Sequence, residues 1–198
     1  MTRTFIALEL NEALQHFLDD IISRASQELP NLRWVDPAGI HLTLAFLGSL
    51  TDKQLETAID AAQVAALQSV PFEYRLKGLG IFGSSSQPRV IWMGVEDFPS
   101  GKIQGSPLQH VHRVLSNELV LRGFEVEKRP FSPHLTLARI KQHLSPSEQQ
   151  RLQRLLHSRL AGSSSHNYPV NTLCVMKSEL SRSGATYTCL KESSFSKS

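Results

Sequence analysis

The pentapeptide His-Leu-Thr-Leu-Ala occurs twice in this chain, beginning at His41 and again at His134. In both copies polar and apolar residues alternate, which is the pattern of a β-strand with one buried and one open face. Each copy precedes a segment with helical periodicity and then a pair of predicted strands. This repetition predicts an internal duplication that gives the fold two similar lobes.

Hydrophobic periodicity outside the repeat predicts a mixture of helices and strands. Apolar residues at spacings of three and four predict helices over 11–29, 52–68, 102–122 and 146–160. Strand patterns occupy 3–10, 40–47, 72–82, 88–95, 133–138, 169–180 and 185–191. We therefore expect an α+β fold.

The length of 198 residues fits one domain. We expect a single domain over 1–198 whose lobes are built mainly from about 1–100 and 101–192, with a disordered tail over 193–198. The sequence GLGIFG at 78–83 matches the dinucleotide-binding pattern G-x-G-x-x-G, but a Ser-rich loop and a strand follow it where that motif requires a helix. We interpret it as a glycine-rich strand and turn.

The composition excludes several classes of protein. Two cysteines, Cys174 and Cys189, are too few for a disulfide framework, and the chain has no C-x-x-C pair for zinc or redox chemistry. No apolar run reaches the roughly 18 residues of a membrane-spanning helix, and an acidic residue interrupts the N-terminal apolar stretch before it could form a signal peptide. We expect a cytoplasmic protein with no membrane partner, and a monomer because the sequence shows no exposed apolar stripe.

Charge is distributed unevenly along the chain. Residues 1–100 carry 7 basic and 12 acidic side chains, whereas 101–198 carry 14 basic and 6 acidic ones. The excess of positive charge in the second half is compatible with a polyanionic ligand. The alternative is a basic surface that serves only solubility.

The repeated strand brings together the residue types needed for phosphodiester cleavage. Alternation places His41 and Thr43 on one face of the first copy, opposite its leucines, and places His134 and Thr136 in the same way in the second. If the two lobes face each other, two His-Thr pairs line one cleft. One imidazole can then accept a proton from water while the other donates one to the leaving oxygen. The threonine hydroxyls can donate hydrogen bonds to the non-bridging phosphate oxygens.

Metal catalysis has little support in the same residues. A zinc site is the main alternative interpretation of two histidines, but the chain has neither His-x-x-x-His spacing nor an H-E-x-x-H motif. We therefore predict no metal and no cofactor. The alternative of a different class is a non-catalytic module that binds RNA ends, which would need phosphate donors but not two titrating imidazoles.

The tetrads His-Leu-Thr-Leu at 41–44 and 134–137 resemble those of the two-histidine phosphoesterases. Four flanking segments narrow the resemblance: Arg-Trp-Val at 33–35, Phe-Leu-Gly at 46–48, Arg-Val-Ile-Trp-Met-Gly at 89–94 and Arg-Pro-Phe-Ser-Pro-His at 129–134. Together they are similar to the LigT-like group of that family, the bacterial RNA 2′,3′-cyclic phosphodiesterases formerly called 2′-5′ RNA ligases. The resemblance covers nearly the whole chain.

This resemblance implies a bilobed α+β fold in which each lobe has an antiparallel sheet and helices, with the active-site cleft between the lobes. It implies metal-independent hydrolysis of RNA 2′,3′-cyclic phosphate ends to 2′-phosphomonoesters, with His41 as the proton donor and His134 as the proton acceptor. Small cyclic phosphates, such as a cyclic nucleotide or an ADP-ribose cyclic phosphate, are alternative substrates, and 2′-5′ RNA ligation is an alternative reaction. Because the two copies are identical, the sequence alone does not assign the two histidine roles.

Four further residues are candidate substrate contacts: Thr43, Thr136, Arg139 and Phe46. The family pattern suggests Arg139 as a phosphate contact, although alternation puts it on the leucine face unless a bulge or a strand end intervenes near Ala138. Phe46 is a candidate for stacking on a nucleobase, and alternation places it on the leucine face as well.

Overall fold

The computed structural model describes residues 1–99, 105–158, 166–181 and 184–196. Within them the α-helices are α1 (Glu12–Glu28), α2 (Asp52–Leu67), α3 (Pro107–Leu121) and α4 (Pro146–Leu156). The strands are β1 (Thr2–Glu9), β2 (Arg33–Trp34), β3 (His41–Leu50), β4 (Phe72–Gly83), β5 (Pro88–Asp97), β6 (His134–Arg139), β7 (Tyr168–Val170), β8 (Thr172–Leu180) and β9 (Ala185–Ser194). No helix in these ranges combines the length and the apolar character needed to cross a membrane.

Side-chain caps fix where the helices begin. Thr51 at α2 and Ser145 at α4 each form a reciprocal capping box with the third helical residue. At α3 the cap is Ser106, whose hydroxyl accepts from the backbone of Gln109 and donates to the Asp97 carboxylate. The predicted start of this helix at 102 is therefore too early, and 102–104 lie outside the described residues. The predicted strand over 169–180 is interrupted at Asn171 and forms β7 and β8.

The strands form one sheet in the order β7-β4-β5-β6-β3-β1-β8-β9, with β2 beside β6, and every pairing is antiparallel. The α+β class is confirmed, and the two tetrad strands β3 and β6 meet in the middle of the sheet. The expected division into lobes of about 1–100 and 101–192 does not match this pairing. Strands β8 and β9 return to the N-terminal strand β1, while β4 and β5 pair towards β6, so each side of the sheet contains strands from both halves.

The helices pack against the face of the sheet that carries the tetrad leucines. Each of these four leucines is 4% exposed or less: Leu42, Leu44, Leu135 and Leu137. They share one core cluster with apolar residues of α1, α2 and α3, and α4 joins a second cluster with Ile91 of β5. On the opposite face, the smaller cluster consists of strand residues only. The histidines and threonines of the tetrads therefore lie on the side of the sheet away from the helices.

The C-terminal residues are ordered, so the predicted disordered tail over 193–198 is wrong for 193–196. Ser193 and Ser194 continue β9, and Phe195 is buried with its ring stacked 6.1 Å from that of Phe72. The Phe195 N–H also donates to the Asn171 carbonyl at 2.8 Å. Burial of this ring and the pairing of Ser193 and Ser194 with β8 together offset the entropy cost of ordering the short polar tail. Residues 197–198 lie outside the described ranges.

Candidate active site between the repeated tetrads

The two tetrads meet through a single register pair at the centre of the sheet. Leu42 on β3 lies opposite Leu135 on β6 in an antiparallel pairing. Extending that register by one residue in each direction aligns His41 with Thr136 and Thr43 with His134. All four polar side chains share the face opposite the buried leucines, as alternation predicts, and all four are half-buried. The arrangement is a local two-fold in which each histidine neighbours the threonine of the other tetrad.

Both histidine rings are held in the same way by the backbone just before them. His41 Nδ1 lies 2.9 Å from the Gly39 carbonyl oxygen, and His134 Nδ1 lies 2.8 Å from that of Ser132. A carbonyl oxygen only accepts, so Nδ1 carries the hydrogen in both rings. Nε2 is then the nitrogen that exchanges a proton with a ligand, and each ring presents it in a fixed orientation.

The surroundings of His41 are aromatic and tightly packed. The ring lies 4.5 Å from that of Phe5 and 4.8 Å from that of Tyr187, which contacts it edge-on. Burial lowers the pKa of His41 to about 4. The hydrogen bond to the Gly39 carbonyl and the charge of the Glu9 carboxylate raise this pKa in part, and the positive charge of Arg139 lowers it. In the free protein this ring is therefore neutral near pH 7.

The surroundings of His134 come from β4 and β5. The Phe82 ring contacts it edge-on at 4.7 Å, and the Trp92 ring lies at 6.4 Å. The Trp92 indole occupies the space that a Cβ on Gly80 would need. The G-x-G-x-x-G sequence thus lies in β4, as predicted, and one of its glycines makes room for the aromatic wall beside His134.

Each tetrad strand contains a β-bulge at the fourth position of the tetrad. Leu44 has no partner in β1, because Thr43 and Ala45 pair with consecutive residues of that strand. Leu137 has no partner in β5 for the same reason. An extra residue in one strand exchanges the faces of all residues that follow it. The residue five positions after each histidine is thereby moved to the histidine face.

Phe46 and Arg139 occupy this equivalent position in the two repeats. The expectation that Phe46 lies on the leucine face is wrong, because simple alternation does not include the bulge. For Arg139, the bulge at Leu137 is the irregularity near Ala138 that its assignment as a phosphate contact requires. Phe46 is 68% exposed, with its ring 6.1 Å from that of Phe5. Arg139 is exposed, and its positive charge acts on His41. The site therefore brings together all six residues predicted from the sequence.

A group of potential metal ligands lies beside the site and was not predicted. Glu9, Cys174 and Cys189 lie on β1, β8 and β9, and their ligand atoms are within 4.8 Å of one another. The Cys174 thiol donates to Glu9 Oε2 at 3.0 Å, and burial raises the pKa of that thiol. Spacing along the chain gives no signal for this group, because strand pairing alone brings it together. Glu9 also pairs with His41 across β1 and β3.

Comparison with known proteins matches this chain to one family of phosphoesterases. The family model described as LigT-like phosphoesterase matches residues 8–92 and 103–187, and each matched segment contains one tetrad. The RNA 2′,3′-cyclic phosphodiesterase of Thermotoga maritima is 34% identical over 140 residues, which are 70% of this chain and 70% of the relative. The protein of the same name from Aquifex aeolicus is 25% identical over 193 residues, 97% of this chain and 96% of the relative.

A third relative of that name, from Geobacillus stearothermophilus, is 32% identical over 151 residues. The aligned region is 76% of this chain but only 46% of the length of that relative. Among solved structures, a Thermus thermophilus protein superposes with a TM-score of 0.78 at 25% identity, covering 98% of this chain and 97% of the other. Escherichia coli LigT in its apo form gives a TM-score of 0.69 at 22% identity and 98% coverage of both chains. The fold is therefore that of the LigT structures.

Proposed function

This chain belongs to the LigT-like phosphoesterase family, and we propose that it is a metal-independent RNA 2′,3′-cyclic phosphodiesterase. The substrate is RNA with a 2′,3′-cyclic phosphate end, and the product is the 2′-phosphomonoester. The observation that carries the proposal is the pair of histidines on one face of two adjacent strands, each with Nδ1 bound to a carbonyl and Nε2 available. Curated relatives named RNA 2′,3′-cyclic phosphodiesterase, from Thermotoga to Aquifex, support the same activity.

In the proposed reaction the cyclic phosphate lies between the two Nε2 atoms. His134 Nε2 accepts a proton from a water molecule, whose oxygen forms a new bond to phosphorus. The bond from phosphorus to the 3′ oxygen breaks, and His41 Nε2–H gives its proton to that oxygen. The product carries a 2′-phosphate and a 3′-hydroxyl, and exchange of one proton with solvent restores each ring.

The donor role of His41 requires its protonated form, which burial disfavours in the free protein. Burial holds the pKa of His41 at about 4. An anionic phosphodiester next to the ring stabilises the imidazolium, and the Glu9 carboxylate on β1 acts in the same direction. Substrate binding therefore charges the acid in the complex in which the proton is needed.

The remaining site residues are proposed to bind the substrate. The hydroxyls of Thr43 and Thr136 donate hydrogen bonds to the non-bridging oxygens, whose negative charge grows in the transition state. The Arg139 guanidinium binds the same phosphate. The exposed ring of Phe46 stacks on the base of the terminal nucleotide. Each of these groups lies on the histidine face of the sheet.

The test uses a short RNA with a 2′,3′-cyclic phosphate end, incubated with the protein in EDTA, with product analysis by chromatography. We expect conversion to the 2′-phosphate alone. His41→Ala and His134→Ala should abolish this conversion. The control His16→Ala, which removes an exposed histidine from α1, should retain it. Conversion that stops with EDTA would contradict the metal-independent scheme. RNA that binds without conversion would favour the end-binding module.

Parallel assays separate the enzymatic alternatives. A cyclic nucleotide and an ADP-ribose cyclic phosphate test smaller substrates, and RNA with a 5′-hydroxyl and a 2′,3′-cyclic phosphate tests 2′-5′ ligation. If either small molecule is turned over faster than RNA, that small molecule and not RNA is the preferred substrate.

We also propose that the protein acts in the cytoplasm as a monomer and that its two lobes form one catalytic domain. Each tetrad strand supplies one histidine, so one chain contains both groups that the reaction needs. Light scattering with and without RNA measures the oligomeric state, and the mass of a dimer would contradict the proposed monomer.

A further inference from the structure

Two arginines lie side by side on the histidine face at one end of the site. Arg33 on β2 is the register partner of Arg139 on β6. The next pair, Trp34 and Ala138, lies on the helix side, where the Trp34 indole donates to the Leu29 carbonyl at 3.0 Å. Both arginines are exposed, and within the ranges that the structure describes neither has an acidic partner. Like charges directly opposite in a sheet are unfavourable, so this pair is suited to an anion.

The two guanidinium groups serve different parts of the cleft. The charge of Arg139 acts on His41, which places it near the phosphate between the histidines. The Arg33 guanidinium lies near the start of β9, with Nη2 3.5 Å from the position of a Cβ on Gly184. Its charge is therefore at the edge of the cleft.

The other flank of the site is bordered by aromatic rings. Beside His134 stand the rings of Phe82 and Trp92. Both cations of β4, Arg75 and Lys77, pair with the Glu96 carboxylate, at 3.0 Å and 3.8 Å. An RNA strand leaving the catalytic centre meets apolar rings on this flank and an unpaired guanidinium at the opposite end.

We propose that Arg33 binds the internucleotide phosphate on the 5′ side of the terminal nucleotide, while Arg139 binds the terminal phosphate. This inference rests on the proposed function, and it makes the enzyme selective for RNA strands over single cyclic nucleotides. The contact is a charge-assisted hydrogen bond of a guanidinium to a phosphate oxygen.

The experiment compares three substrates: a dinucleotide with a 2′,3′-cyclic phosphate end, the same molecule with an uncharged methylphosphonate linkage, and the nucleoside 2′,3′-cyclic phosphate. For the native protein we expect the methylphosphonate to lower kcat/KM by about tenfold. In Arg33→Gln the two dinucleotides should react equally, and the mononucleotide should react at the native rate. The slope of log kcat/KM against log salt should also become shallower by about 0.7, the value for one phosphate contact on a single strand.

The matched control is Arg24→Gln, which removes an exposed arginine from α1 on the helix side of the sheet. It should retain the native discrimination between the dinucleotides. Arg33→Gln should also unfold at no lower temperature than the native protein, because it removes a like-charge contact.

Four results would overturn the inference. An equal loss of kcat/KM on all substrates in Arg33→Gln would place Arg33 at the terminal phosphate, and a clear drop in melting temperature would give it a structural role. Equal kcat/KM of the native protein on the phosphodiester and the methylphosphonate dinucleotides would contradict the Arg33 subsite but leave the proposed function intact. No native turnover of any substrate would overturn the function and the inference together.

Discussion

The two copies of the pentapeptide are identical in sequence and differ in their surroundings. Both histidines bind a backbone carbonyl two residues earlier, and both strands bulge at the fourth tetrad position. The first histidine is enclosed by rings from β1 and β9 and paired with Glu9, while the second is bordered by rings from β4 and β5. The equivalent residue after the bulge is Phe46 in one copy and Arg139 in the other.

This comparison separates what a strand determines locally from what its neighbours supply. Alternation, ring orientation and the bulge belong to the repeated strand and its closest backbone. Burial and nearby charge come from other strands, and they hold the pKa of His41 at about 4. Identical pentapeptides can therefore serve different chemical roles, because a side chain's protonation depends on its surroundings.

The largest expected effect comes from removing either imidazole. His41→Ala and His134→Ala should each lower kcat by at least about 100-fold, and up to roughly 10,000-fold, because each removes one proton-transfer step. Single-turnover assays with the cyclic RNA measure the loss, with His16→Ala as control. If one variant keeps near-native activity, the two repeats are not both catalytic and the local symmetry is only structural.

The next effect concerns the two residues after the bulges. Arg139→Gln should lower kcat/KM by about 30-fold, by loss of a guanidinium–phosphate contact, and higher salt should narrow the difference. Phe46→Leu should lower it by about tenfold on normal RNA, as expected for one stacked base. Steady-state kinetics on RNA with and without the terminal base measure both.

The substrate that lacks its terminal base is the control for this pair. On it Phe46→Leu should match the native protein, while Arg139→Gln keeps its full defect. A Phe46 defect that persists without the base would mean that the ring supports the strand, not the substrate.

Much of this site is predictable from the sequence because its signals are local. Alternation within the tetrads identifies the faces of His41 and Thr43, and a copy of the same pattern identifies the second half of the site. Helices α1, α2 and α4 begin within one residue of the predicted positions, because caps such as Asn11 are local as well.

The features that sequence reasoning missed all depend on pairing between distant segments. The bulge at Leu44 is defined only by the register against β1, and without it Phe46 falls on the wrong face. Two-residue β2 is too short for any periodicity, although it places Arg33 beside Arg139. The return of β8 to β1 brings Cys174 to Glu9 across 165 residues. No pattern within one segment contains this information.

Two glycines offer a smaller test of the difference between the flanks. Gly80 lies under the Trp92 indole beside His134, and a Cβ there would overlap the ring, whereas a Cβ on Gly39 would make ordinary contact with Tyr187 at 3.5 Å. We expect Gly80→Ala to lower the free energy of unfolding by about 1–3 kcal/mol through overpacking. Gly39→Ala should change it by about 0.5 kcal/mol or less. Urea denaturation measures both, and equal effects would contradict the asymmetry.

The smallest expected effect decides which histidine is the acid. The Glu9 carboxylate raises the pKa of His41, so Glu9→Gln should lower it further. At neutral pH, far above a pKa near 4, lowering the pKa reduces the protonated fraction by the same factor as it increases the acid dissociation constant. If His41 donates the proton, kcat/KM near pH 7 should fall by roughly two- to fivefold, the range for a partly exposed charge. Glu192→Gln, which removes an exposed carboxylate from β9, is the control.

The opposite assignment predicts a different outcome from the same variant. A His41 that accepts the proton is already neutral near pH 7, so lowering its pKa would leave kcat/KM unchanged there. An NMR titration of the His41 ring verifies that Glu9→Gln has lowered the pKa, whatever happens to activity. A lowered pKa with unchanged kcat/KM would make His41 the base and His134 the acid, and the two repeats would exchange roles within the same geometry.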